Sequence, residues 1–276
     1  MGWHGRLELD YRRDGDITQS HDRHDGPLRV LQRLYPEGPG ICHHVLVHPP
    51  GGMVGGDTLD IALRLAEGSH AVITSPGAAR FYRSQGERAV QQVQATLAHG
   101  ARLEWLPLET IAYSGCEGEN RLVFTLAEGA ETLGWDVLAL GLPAAEQPFE
   151  RGRYRQHLEL PGAWLERGTI SADDAVLLDS PLGLAGQRVL GTLWFAAGAP
   201  ITPARRESLL DEARGAAAGH ALARLSGATA PNDRVVVLRA LAPRVEPLMD
   251  LFKAVRHAWR AKAWALTAAS PRVWTT

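Results

Sequence analysis

Cysteine is nearly absent. Only Cys42 and Cys116 occur in 276 residues, too few for a disulfide framework and in keeping with a reducing compartment. An excess of one charge is missing too: the formal net charge is -2, so no global basic field favours nucleic acid or an anionic membrane. No apolar run approaches the roughly eighteen residues of a membrane span. The opening "MGWHGRLELDYRRDGD" turns polar within a few residues, which argues against a signal peptide. Catalytic signatures are lacking as well: there is no HExxH, no GxSxG and no recognisable grouping of Ser, His and Asp. With 45% apolar and 22% charged residues the composition is that of a globular chain. These absences predict a soluble, cytoplasmic, non-enzymatic protein with no nucleic-acid or membrane partner.

Glycine is plentiful, and one cluster raises the question of a phosphate loop. In "HPPGGMVGGD", residues 48 to 57, Pro49 and Pro50 precede Gly51, Gly52, Gly55 and Gly56. A P-loop would place a lysine after the last glycine, whereas Asp57 stands there with the wrong sign for phosphate. A dinucleotide fingerprint would lead into a helix, yet Leu59, Ile61, Leu63 and Leu65 alternate with Thr58, Asp60, Ala62 and Arg64. Period two is a strand, and "ICHHVLVH" before the turn is strand-like as well. The cluster therefore predicts a strand-to-strand connection that either aims Asp57 at a channel or partner or uses it to cap the turn.

The strand signal recurs. "LAEGSHAVITS", "LAHGARLEWLP", "LAEGAETLGWD" and "LELPGAWLERG" place Gly68, Gly100, Gly129 and Gly162 roughly thirty residues apart, the spacing of stacked supersecondary units. The last third changes character. Thr202 is a candidate N-cap, Pro203 the first helical residue and Gly219 a stop. A final helix has Leu248, Leu251, Phe252, Val255 and Trp259 on one face, with Lys253, Arg256, His257 and Arg260 opposite. The expected fold is mainly β, with stacked sheets in a solenoid-like arrangement, two α-helices in the C-terminal third, and one continuous unit over residues 1–276.

At this point the residues resemble the urease accessory protein UreD (UreH) family. "PLRVLQRLYPEGPGICHHVLVHPPGGMVGGDTL", "GARLEWLPLETIAYSG" and the terminal "PRVWTT" carry the resemblance in order over nearly the whole chain. The chain departs from the family pattern at Thr74-Ser75, Arg80, Leu108, Leu142 and Glu146-Gln147. The resemblance implies a non-enzymatic scaffold that joins apo-urease to UreF and the GTPase UreG during nickel delivery. No tightly bound cofactor is expected, only transient nickel. A β-repeat binding module without metal transfer and an uncharacterised hydrolase are the alternatives.

Candidate site residues follow from the repeats. Glu104 and Glu166 stand four residues after Gly100 and Gly162, and Asp136 lies in the intervening unit. With Asp57 and His48 they make a candidate nickel path, since scattered oxygen and imidazole ligands would bind a divalent cation too weakly to trap it. The bland reading is surface acids paired with arginines. Cys42, His44 and His48 share one strand parity and could share a metal; "HDRHD" at 21–25 reads as a solvated turn that could also hold one. Arg256, Trp259, Arg260, Arg272 and Trp274 are the candidate partner surface, because Trp and Arg dominate interface hot spots. A helix docked by its apolar face with solvated charges would look the same.

Overall fold

The computed structural model describes residues 2–267 and 269–275. In chain order the first strands are β1 (His4–Asp14), β2 (Ile17–Asp25), β3 (Arg29–Val30), β4 (Cys42–Val47), β5 (Thr58–Leu65) and β6 (His70–Thr74). Next come β7 (Ala79–Phe81), β8 (Ala89–Leu97), β9 (Arg102–Leu106), β10 (Thr110–Ala112), β11 (Cys116–Leu126) and β12 (Glu131–Leu140). The rest is β13 (Gly152–Leu160), β14 (Trp164–Ser171), helix α1 (Ala175–Asp179), β15 (Val189–Ala197), α2 (Pro203–Ala218), β16 (Ser226–Thr229), β17 (Val235–Ala242) and α3 (Val245–Trp264).

Two sheets face each other. One runs β14-β13-β11-β8-β5-β1-β2; the other runs β16-β17-β15-β12-β9-β6-β4-β3, with β10 and β7 paired off its side. The chain alternates between them from β4 to β12, so β5, β8 and β11 are parallel neighbours in one sheet and β4, β6, β9 and β12 in the other. This is the expected solenoid-like stack. Each crossing from the smaller sheet to the larger, after β5, β8 and β11, uses the same turn: Gly68, Gly100 and Gly129 take φ of +66°, +66° and +78°, a left-handed conformation that side chains resist. Gly162 does not belong to the series. It closes a hairpin between antiparallel β13 and β14 within one sheet. In register, Glu104 therefore corresponds to Val72 and Leu133, not to Glu166.

The expected alternation in β5 holds, with Leu59, Ile61, Leu63 and Leu65 all buried. They join a core between the sheets that includes Leu97, Trp105, Phe124 and Trp194. A second core lies on the outer face of the larger sheet, where α2 and α3 pack. β12 runs between the two cores and is buried at every residue, which is why, Asp136 apart, Leu133 to Leu140 is apolar on both faces rather than alternating. Thr202 caps α2 by accepting from Arg205 N, Pro203 opens it, and Gly219 ends it. "HDRHD" is not a turn. It forms the end of β2, an edge strand whose backbone pairs with β1 while its charged side chains face water.

The glycine cluster carries the chain from β4 in one sheet to β5 in the other. Met53 N donates to Arg80 O and Tyr82 N donates to Met53 O, both at 2.8 Å, so the loop adds a rung beside β7. Gly51 and Gly56 hold φ of +78° and +91°. Gly52 is there for space: a Cβ on it would lie 2.4 Å from the Tyr82 ring and 2.9 Å from Arg80 O. Gly52→Ala is expected to destabilise by about 1–3 kcal/mol through overpacking. Urea denaturation of the purified variant checks this, and an unchanged midpoint would refute it.

Candidate functional site

A polar seam crosses the otherwise apolar space between the sheets. Gln91, Asn120 and Gln156 are register neighbours on β8, β11 and β13. Gln91 Nε2 donates to Asn120 Oδ1 at 3.1 Å. Asn120 Nδ2 and Gln156 Nε2 then donate to the two carboxylate oxygens of Asp136 at 3.2 and 3.1 Å. Asp136 comes from the opposite sheet, on β12, where it pairs in register with Thr192 and through it with Arg239. Thr192 Oγ1 donates to Glu166 at 2.8 Å, and Arg239 Nε donates to the same carboxylate at 3.0 Å. Burial pushes the Asp136 carboxyl up to about 6 against the pull of its two amide donors, and the Glu166 charge adds to the rise.

At its other end the seam borders a cavity of about 280 Å³. His48, Gln91, Trp105, Thr110, Asn120 and Asp136 line it, together with the loops at Gly51-Gly52 and Ser75–Gly77. The His48 ring packs on Trp3 with centroids 4.9 Å apart, and its buried Nε2 has no hydrogen-bond partner among the described residues. Burial lowers the His48 pKa while the Asp57 charge opposes this. Asp57 itself is a turn cap. Its Oδ2 accepts from Val54 N at 2.9 Å and its Oδ1 from Trp3 N at 3.1 Å, so it closes the glycine loop and ties down the N-terminal strand.

Glu104 belongs elsewhere. It projects from the outer face of the larger sheet into a closed ion network under α3, at 0% exposure. Arg256 Nε and Nη2 lie 2.9 and 2.7 Å from its Oε2, and Arg260 Nε lies 3.0 Å from its Oε1. Arg260 continues to Glu37 at 2.7 Å, and Glu37 to His43 at 2.9 Å. His70 Nε2 approaches Glu104 at 3.3 Å. Burial alone would raise the Glu104 pKa, but the Arg256 charge, the His70 contact and Arg260 override it and hold the carboxyl well below its usual range. Two carboxylates thus balance two guanidiniums out of water. The expectation of Glu104 on a common wall with Asp136 and Glu166 is corrected: it lies on the other side of the sheet.

The basic face expected of α3 is corrected on the same ground. Arg256, Trp259 and Arg260 are all 0% exposed. Their remaining donors reach the chain that follows the helix, Arg256 Nη1 to Ala269 O at 2.8 Å and Arg260 Nη1 to Thr267 O at 2.7 Å. Trp274 folds back on Trp135 with ring centroids 5.4 Å apart, and its Nε1 donates to Thr74 Oγ1 at 2.8 Å. Arg272 is exposed and Trp274 is half-buried, so these two remain on the surface. The last residue of "PRVWTT", Thr276, lies outside the described residues. Cys42, His44 and His48 do not assemble either, because His48 follows the end of β4 and faces the 280 Å³ cavity.

The sequence reading missed Gln91, Asn120 and Gln156. The signal was available: each occupies the inward parity of its strand, among Ala89, Val93 and Ala95, among Gly118, Leu122 and Phe124, and between Tyr154 and Leu158. Among the described residues no group of three or more His, Cys, Asp and Glu is arranged to hold a metal.

The fold and the site together define a two-sheet β-solenoid with a polar seam through its interior. The family model described as UreD urease accessory protein matches residues 4–275, and the chain belongs to that family. It is 63% identical to the urease accessory protein UreD of Leptothrix cholodnii, 59% to that of Variovorax paradoxus and 56% to that of Polaromonas naphthalenivorans, each match covering the whole of both chains.

Proposed function

We propose that the protein serves urease maturation as a non-catalytic scaffold in the cytoplasm, joining apo-urease to UreF and UreG, and that nickel passes along its polar seam. Family membership supports the maturation role. One observation supports the route: polar groups stand where a solenoid core would be apolar, from His48 and Asn120 on the wall of one cavity through Asp136 and Gln156 to Thr192, the register neighbour of Asp136, and Glu166. Its chemistry suits a passing borderline cation. Amide and carboxylate oxygens with one imidazole are acceptable ligands, and no three of the ionisable ones converge to trap the ion. Glu104 has no part in the route, because its charge is consumed by Arg256 and Arg260.

Deleting the protein from a urease-positive cell tests the maturation role. Urease polypeptide should accumulate at its normal level with its nickel content and activity lost. Full activity in the deletion strain would overturn the reading. No helix among the described residues is long and apolar enough to cross a membrane.

A further inference from the structure

Two motifs that are weak apart, the His-bearing strand β4 and the "HDRHD" run of β2, meet across a second cavity. It measures about 340 Å³ and is lined by Ser20, Asp22, Val30, Leu31, Gln32, Arg33 and His44. His44 forms its buried wall at 2% exposure. Its Nδ1 lies 2.6 Å from the Tyr11 hydroxyl. In the tautomer where Nδ1–H donates to that oxygen, Nε2 carries a lone pair, and among the described residues no hydrogen bond reaches it. This is the arrangement in which a second group fixes the ring of a metal-binding histidine. Asp22 lines the same cavity and has no ion-pair partner among the described residues. Arg33 also lines it, but its Nη1 is held by Ser20 O at 3.0 Å.

We propose that this cavity is a weak binding site for a borderline divalent cation, with His44 Nε2 and the Asp22 carboxylate as the protein ligands and water completing the shell. The ligand types fit that class, since imidazole and carboxylate together suit nickel or zinc better than magnesium or calcium. Two protein ligands give modest affinity, in keeping with the lack of a larger cluster among the described residues. Cys42 takes no part: burial raises its thiol pKa, and its side chain does not line the cavity. The site shares no residue with the seam, so its failure and that of the proposed nickel route are separate results.

Titration calorimetry of the isolated full-length protein with nickel alone tests the site. The unaltered chain should show one binding event. Asp22→Asn, an exposed change that leaves the fold intact, should weaken it at least about tenfold, and Tyr11→Phe about 10–100-fold by freeing the ring. Arg33→Ala should tighten it by removing a repelling cation. No nickel binding to the unaltered chain would overturn the proposal. So would binding that Asp22→Asn leaves unchanged, which would assign the heat to exposed His4, His21 and His24.

Discussion

Glu104→Gln is expected to destabilise the protein by about 3–5 kcal/mol, the loss that follows when one partner is removed from a buried ion pair. The neutral amide would leave Arg256 and Arg260 out of water with only Glu37 to balance them. A second change should partly repair the first. Glu104→Gln with Arg256→Met restores neutrality, since Arg260 and Glu37 remain paired, and methionine suits a site bordered by Phe252 and Trp274. The double variant should therefore be more stable than Glu104→Gln alone. Urea midpoints for the three proteins decide it. A Glu104→Gln protein as stable as the parent would mean that the carboxylate is not what holds the two guanidiniums.

The same network sets the acid limit of the fold. The neighbouring guanidiniums and histidines hold the pKa values of Glu104 and Glu37 below the ordinary glutamate range in the folded state. Groups of that kind contribute stability that is present above the unfolded value and is lost as pH falls toward the folded ones. Unfolding on acidification should accordingly begin with α3 and the chain that follows it, because these are what the network fastens to the larger sheet.

How much of this was legible in the sequence depended on whether a residue's surroundings were local. Period two in Thr58–Leu65 predicted β5, and Thr202, Pro203 and Gly219 marked α2, because those signals arise within a few residues of themselves. The LAEG-type turns announced the stack for the same reason. Their equivalence was not legible, because Gly162 has the same local form and φ while linking antiparallel strands, and only strand pairing separates it from Gly129. Charge alone points Arg256 and Arg260 to the surface, as candidate partner contacts or as solvated groups. Their place in the row Leu248, Phe252, Arg256, Arg260 and Trp264, four residues apart along one helix face, was the better guide. What the sequence could not supply was the counter-charge, since Glu104 stands 152 positions from Arg256. The amide ladder failed to register for a related reason. Asn120 and Gln156 look like ordinary polar strand residues until their parity is set against buried neighbours, and their acceptor comes from the other sheet.

Asp136→Asn is expected to stabilise the protein and, on the proposed route through the seam, to impair nickel delivery. In the folded state the Asp136 pKa is raised from 3.8 to about 6, with burial as the main cause. A carboxyl whose folded pKa is raised binds its proton more tightly when folded. Its contribution is therefore most favourable below the unfolded value, declines as pH rises from about 4 to about 6, and stays low above that. The shift of roughly two units bounds the cost of ionised Asp136 at roughly 3 kcal/mol. Asparagine carries no charge at any pH and keeps the volume; a half-turn of the Gln156 amide presents its oxygen to the new NH₂ group, while Asn120 goes on donating to the remaining oxygen. The stability gain over the parent should thus be near zero at pH 4 and largest above pH 6, which denaturation at the two pH values measures directly. Parent and variant share the Glu37 and Glu104 contributions, so the difference between them isolates Asp136. If the seam carries nickel, the same substitution removes the carboxylate that stands between His48 and Glu166, and a passing cation loses its central counter-charge. Urease matured with the variant should then retain its complexes with the other accessory proteins but contain several-fold less nickel. Normal nickel content in urease from a variant with that pH-dependent stability gain would end the route through the seam. A residue that costs stability at neutral pH and is nevertheless ionised there fits the trade between stability and activity expected of a functional group rather than of the core around it.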